Sequence, residues 1–151
     1  MITIEEFKNK ITKKTRLIGL DLGSKRIGIA ICDEHQSIAT PFKTIQKDNF
    51  DKFLNELKLI IKENNIKGII VGNPINMDGS LGPSAQSVKD VCSNILKNIN
   101  IPLCLWDERL STIAAFNLSS QLDIKVSKKI KNIDQNAAAF ILQGVLDYLK
   151  N

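Results

Sequence analysis

Residues 16–33 read RLIGLDLGSKRIGIAICD, and this stretch decides the fold. Two apolar, β-branched runs, 16–23 and 26–33, flank the short turn GSK, the pattern of an antiparallel hairpin. A third run, SIATPFKTI (37–45), follows after DEHQ and extends the hairpin to a three-strand meander. Then the period changes. Between Asp48 and Asn65 the residues Phe50, Phe53, Leu54, Leu57, Ile60 and Ile61 form one helical stripe, with Asp48 placed as the N-cap. KGIIVGN (67–73) and IPLCLW (101–106) are short, almost wholly apolar runs, as in buried parallel strands. Between them a helix carries Val88, Val91, Cys92, Ile95, Leu96 and Ile99 on one side. STIAAFNLSS (111–120) reads as a short helix capped by Ser111, and QLDIKVSKKIKN (121–132) as a basic loop. A last helix, from about Asp134 to Leu149, turns Ala138, Ile141, Leu142, Val145 and Leu149 inward. The order βββαβαβαα predicts an α/β domain with one mixed sheet, three antiparallel strands followed by parallel ones, and helices on its faces.

Length and composition agree with a single domain. The chain has 151 residues, 43% of them hydrophobic and 25% charged, enough to bury a core and too apolar for wholesale disorder. Residues 1–15 stand apart as an N-terminal extension, in which Ile4, Phe7 and Ile11 have helical spacing; residues 16–151 form the domain proper. The net charge of +5 favours a polyanionic partner. No run approaches the ~18 apolar residues that a membrane span needs. The first residues lack the apolar core of a signal peptide and carry Glu5 and Glu6, so a cytoplasmic location is expected. Cys32, Cys92 and Cys104 each lie among apolar residues and read as reduced core thiols. With His35 the only histidine, a zinc site is not expected.

The chemistry is carried by carboxylates. Asp21 interrupts the apolar run Leu17–Leu22, where a bare charge is costly unless a cation compensates it. Asp107 and Glu108 follow the strand IPLCLW, at the end where ligands gather in α/β sheets; neighbours on an extended chain point to opposite faces, so one of the two joins a shared site. Asp134 precedes Ala138 and Ile141 by four and seven residues, which puts it on the inward stripe as well as at a capping position. Gathered together, such acids would raise one another's pKa unless a cation lay between them. Oxygen ligands without His or Cys select Mg²⁺ or Mn²⁺. A pair of such ions suits phosphodiester cleavage. Lys25 and Arg26 in the first turn, Arg109, and the loop lysines Lys128, Lys129 and Lys131 are candidates for holding a nucleic-acid backbone.

Four blocks, LIGLDLGSKRIGIAICD, VGNPINMDGSLGPSA, LWDERLSTIAA and DQNAAAFILQGVLDYL, resemble in order those of the YqgF (RuvX) family over Arg16 to Leu149. The resemblance implies an RNase H-like fold, related to RuvC-type resolvases. It implies a cytoplasmic nuclease that matures the 5′ end of pre-16S ribosomal RNA, with Holliday-junction resolution of branched DNA as the alternative. It carries over Asp21, Glu108 and Asp134 as catalytic metal ligands, and so favours Glu108 over Asp107. The chain departs from the family in reading Gly72-Asn73-Pro74 after the fourth strand, in lacking a Glu near Phe116, and in its front extension. A non-catalytic nucleic-acid-binding module is a further alternative, in which the acids are free to be lost. An actin-like ATPase, which also begins D-x-G, needs two such domains and a longer chain. Monomer and homodimer both stay open.

Overall fold

The computed structural model describes residues 1–73, 83–107 and 133–150, excluding the side chains of 83, 84 and 133–135. The elements, in chain order, are α1 (Ile4–Lys10), β1 (Arg16–Leu22), β2 (Arg26–Cys32), β3 (Ala39–Gln46), α2 (Phe50–Glu63), β4 (Ile66–Asn73), α3 (Pro83–Asn98), β5 (Leu103–Asp107) and α4 (Ile133–Lys150). The strands form one sheet in the order β3-β2-β1-β4-β5. β1 pairs antiparallel with β2, and β2 with β3, while β1–β4 and β4–β5 are parallel. This is the mixed sheet that the change of period predicts. The short helix expected over 111–120, the basic loop and the connector after Asn73 lie outside the described residues.

The pleat sorts the strands onto two apolar layers. Ile18 and Leu20 of β1, with Ile69 and Val71 of β4, pack under α2 and α3 through Phe53, Leu57, Val88, Cys92 and Ile95. On the other face Leu17, Ala30, Ile70 and Cys104 pack under α4 through Ala138, Ile141, Leu142 and Val145. The helical stripes read from the sequence are therefore the buried ones. The cap of α2 differs by one residue: Asn49, not Asp48, is the N-cap, and its side chain accepts the Lys52 N–H at 3.1 Å. Both residue types cap well, so the local pattern alone did not separate them.

Two packing details set the frame for the site. α4 lies directly on Gly19: a Cβ built there would stand 2.8 Å from Leu142 Cβ and 3.0 Å from the Ala138 carbonyl. Glycine is required because the helix occupies the space of a side chain. The direction of α4 is fixed farther along. Gln143 donates to the Ser37 carbonyl at 3.0 Å and accepts the Ala39 N–H at 2.9 Å, and Lys150 Nζ donates to Ser37 Oγ at 3.0 Å. Ser37 belongs to the β2–β3 connection, beside the amino end of β1, so the first turn of α4 points to the carboxyl end of β1. The N-terminal residues are also packed. Ile2 bridges Cys104 on the β5 edge, and Phe7 of α1, fully buried, sits over Gly68.

Candidate nucleic-acid active site

Asp21 is the penultimate residue of β1. Leu20 and Leu22 pack toward α2 and α3, so alternation turns Asp21 to the α4 face. Its partner on β2 is Gly28, and Gly72 follows Val71, the β4 partner of Leu20. The strand positions on both sides of Asp21 are thus glycines, which carry no side chain. From the Gly19 contact, two residues along β1 reach Asp21 and one turn back along α4 from Ala138 reaches Asp134. Each step covers about 6 Å in the same direction. Asp134 lies in the first turn of α4; its side chain, like the whole of Glu108, is outside the described residues.

Asp107 ends β5 opposite Asn73 of β4. Trp106 packs against the α4-side layer and Leu105 against the other, so Asp107 falls on the face opposite to Asp21. Asp107 therefore does not share Asp21's face, and Glu108 lies outside the described residues. Lys25 and Arg26 occupy the turn after Asp21 and the first residue of β2. Arg109, Lys128, Lys129 and Lys131 lie outside the described residues.

That turn has a brace that the local sequence did not reveal. Gly23 N–H donates to the Asp21 carbonyl at 3.2 Å and to the Arg26 carbonyl at 2.9 Å. Lys47, just past β3, donates its backbone N–H to the Lys25 carbonyl at 2.9 Å and its Nζ to the Gly23 carbonyl at 3.3 Å. A third cation thus stands at the carboxyl end of the sheet. The pairing spans more than twenty residues, so only the register of β2 with β3 could have exposed it.

The donor chemistry fits a hard divalent cation. Asp21 offers carboxylate oxygens in a glycine-flanked space, whereas the thiols are unsuited to ligation. Burial pushes Cys92 up to about 12 and Cys104 up to about 11, and raises Cys32. All three are buried and free. Among the described residues, which include neither Glu108 nor the Asp134 side chain, no cluster of three His, Cys, Asp or Glu is positioned to hold a metal. A surface pocket of about 430 Å³ opens elsewhere, lined by Lys14, Arg16, Glu34, Glu63 and their neighbours at the amino end of β1. It lies away from the acids and contributes nothing to their chemistry. Among the described residues no helix is long and apolar enough to cross a membrane.

A mixed five-strand sheet with these connections is an RNase H-like fold. RuvC from Thermus thermophilus in complex with a Holliday junction superposes with a TM-score of 0.56 at 8% identity, over 89% of this chain and 96% of that one. The chain belongs to the RuvX family, described as "Holliday junction resolvase", which matches residues 15–148. A relative from Pelagibacter ubique is 72% identical over all 151 residues and the whole of its own length, and bears the name "Putative pre-16S rRNA nuclease". A relative of the same name from Rhodobacter capsulatus is 41% identical over 97% of this chain and 92% of its own.

Proposed function

We propose that this protein is a metal-dependent endonuclease that hydrolyses phosphodiester bonds at the 5′ end of pre-16S ribosomal RNA in the cytoplasm. The observation that carries the reading is Asp21: an acid near the end of the central strand, between two glycines, on the face toward which the first turn of α4 is directed. Full-length similarity to proteins named for this activity supports the substrate. Asp21, Glu108 and Asp134 would hold Mg²⁺ or Mn²⁺. Alternation favours Glu108, because a strand continued by one residue past Asp107 would return to the face of Asp21. The bound cation supplies a lowered pKa for water and neutralises charge on the scissile phosphate. The chain's own task is to bind and orient. Lys25 and Arg26 meet phosphate oxygens beside Asp21, Arg109 adds a forked donor, and Lys128, Lys129 and Lys131 hold the backbone farther out. Residues 16–151 form the nuclease domain, with 1–15 as an accessory segment.

Cleavage of branched DNA is the second reading, favoured by the family's description and by the fold shared with RuvC. The test runs wild type and Asp21→Asn on a 5′-leader RNA and on a four-way DNA junction, with and without Mg²⁺. Wild-type cleavage of the leader, lost in Asp21→Asn and in chelator, is expected. Preferential cutting of the junction would transfer the assignment to resolvase. Metal-independent binding with no cleavage of either substrate would leave a non-catalytic module.

A further inference from the structure

Trp106 is the only tryptophan of the chain and the residue before Asp107 in β5. It packs on the α4-side layer, half-buried, and so shares a face with Asp21. Its register partner is Gly72, the glycine that also flanks Asp21 on β4. Asp21, Gly72 and Trp106 therefore form one row across three adjacent strands, and the middle position of that row is a glycine. Two strand spacings separate their backbones by about 10 Å. The indole is braced: Tyr148 of α4 meets it edge-on, with ring centroids 5.8 Å apart and planes at 62°. The Tyr148 hydroxyl in turn donates to Glu5 of α1 at 3.1 Å.

Resting on the nuclease reading above, we propose that Trp106 is a base-stacking platform beside the cleavage site, so that the scissile phosphate is followed or preceded by an unpaired base. A rigid, partly exposed ring near a phosphate-binding acid suits this task, since every base has a π-face and stacking needs no hydrogen-bond readout. A base inside a duplex is already stacked and does not reach the indole. The substrate class is therefore single-stranded RNA across the cut.

Emission from the single tryptophan reports on the platform directly. Labelled single-stranded RNA spanning the 5′ junction of small-subunit rRNA is titrated in Ca²⁺ without Mg²⁺, reading indole emission and label anisotropy together. The same sequence in a duplex serves as comparison. Single strand is expected to quench Trp106 and duplex to leave it unchanged. Trp106→Leu weakens single-strand binding by about 5- to 150-fold, the range of one base–aromatic stack, and Trp106→Phe by less. A probe carrying one abasic position next to the cut loses a similar factor on wild-type protein, with no change to the chain at all. Binding by anisotropy without quenching, and with no abasic position mattering, overturns the platform and leaves the nuclease reading intact. A wild type that neither binds nor cleaves RNA or DNA overturns that reading, and the platform with it.

Discussion

Gly19→Ala tests the link between fold and site most directly. The added Cβ would meet Leu142 Cβ at 2.8 Å and the Ala138 carbonyl at 3.0 Å. Non-bonded carbons sit comfortably at about 3.5–4.0 Å, so α4 must retreat by about 1 Å. Overpacking of this kind costs about 1–3 kcal/mol. At about 2–4 °C per kcal/mol for a chain of this size, the Tm falls by roughly 2–12 °C. The activity cost exceeds what instability explains, because the first turn of α4 carries Asp134 and a 1 Å misplacement costs about 100-fold. Leu142→Ala is the control. Leu142 is fully buried, and its truncation removes about 2–5 kcal/mol while keeping the Cβ that sets the helix spacing. Melting by circular dichroism gives both stabilities, and cleavage is then compared where both variants are more than nine-tenths folded. Gly19→Ala is expected to lose far more kcat than Leu142→Ala. Equal losses would refute the argument that α4 transmits its position to the site.

The other predictions concern single contacts. Phe7→Ala empties a fully buried site over Gly68 and should cost about 3–5 kcal/mol in denaturant unfolding; a loss below about 1 kcal/mol would mean that α1 is not part of the cooperative unit. Asp33 accepts the N–H groups of Ile38 and Ser37 at 2.8 Å each and of His35 at 3.2 Å, and these bonds, that from Ile38 foremost, hold its pKa below the ordinary value. A depressed carboxylate stabilises the fold above its unfolded pKa of about 4, and loses that effect as pH falls through the lower folded value. The stability gap between wild type and Asp33→Asn should therefore be present at neutral pH and narrow on acidification below about pH 4; a gap independent of pH would count against these bonds. Lys47→Met should raise the KM for RNA with little change in Tm and be rescued by Lys47→Arg; loss of stability without a KM effect would make Lys47 structural only. Glu108→Gln should lower cleavage by more than the ~10–100-fold typical of residues that merely orient a metal ligand, with Asp107→Asn well below it. The reverse order would place the site on the other face.

Periodicity carried most of this architecture. The stripe Phe53–Leu54–Leu57–Ile60 and the runs of β1, β4 and β5 state their partners' character without naming the partners, and the sheet order follows from short antiparallel turns and long parallel crossovers. What stayed hidden depends on contacts between distant segments. Gln143 fixes the direction of α4 through Ser37, 106 residues away, and Phe7 finds a glycine on β4 that nothing in α1 announces. Ile4, Phe7 and Ile11 foretold a helix, but not whether it docks. The candidate acids were legible for a different reason: a charge inside an apolar strand costs free energy without a compensating cation, so Asp21 stands out against its neighbours.

The pleat also supplies the strongest rival to the proposed site, and shows why it is rejected. Asn73 and Asp107 pair across β4 and β5 on the face of α2 and α3, and Asn73 Oδ1 is buried without a hydrogen-bond partner among the described residues. An orphaned oxygen beside a carboxylate is a reasonable start for a cation site. Yet Asp21 projects from the opposite face, one residue short of that level, and β1 cannot deliver it there without a one-residue slip. Such a slip would turn Ile18 and Leu20, both fully buried, out of the core. At about 1.5–3 kcal/mol for each such side chain, the core fixes the register and with it the face to which Asp21 turns. On the proposed reading, the first strand's hydrophobic pattern selects the acids that can cooperate with Asp21, before any metal or substrate arrives.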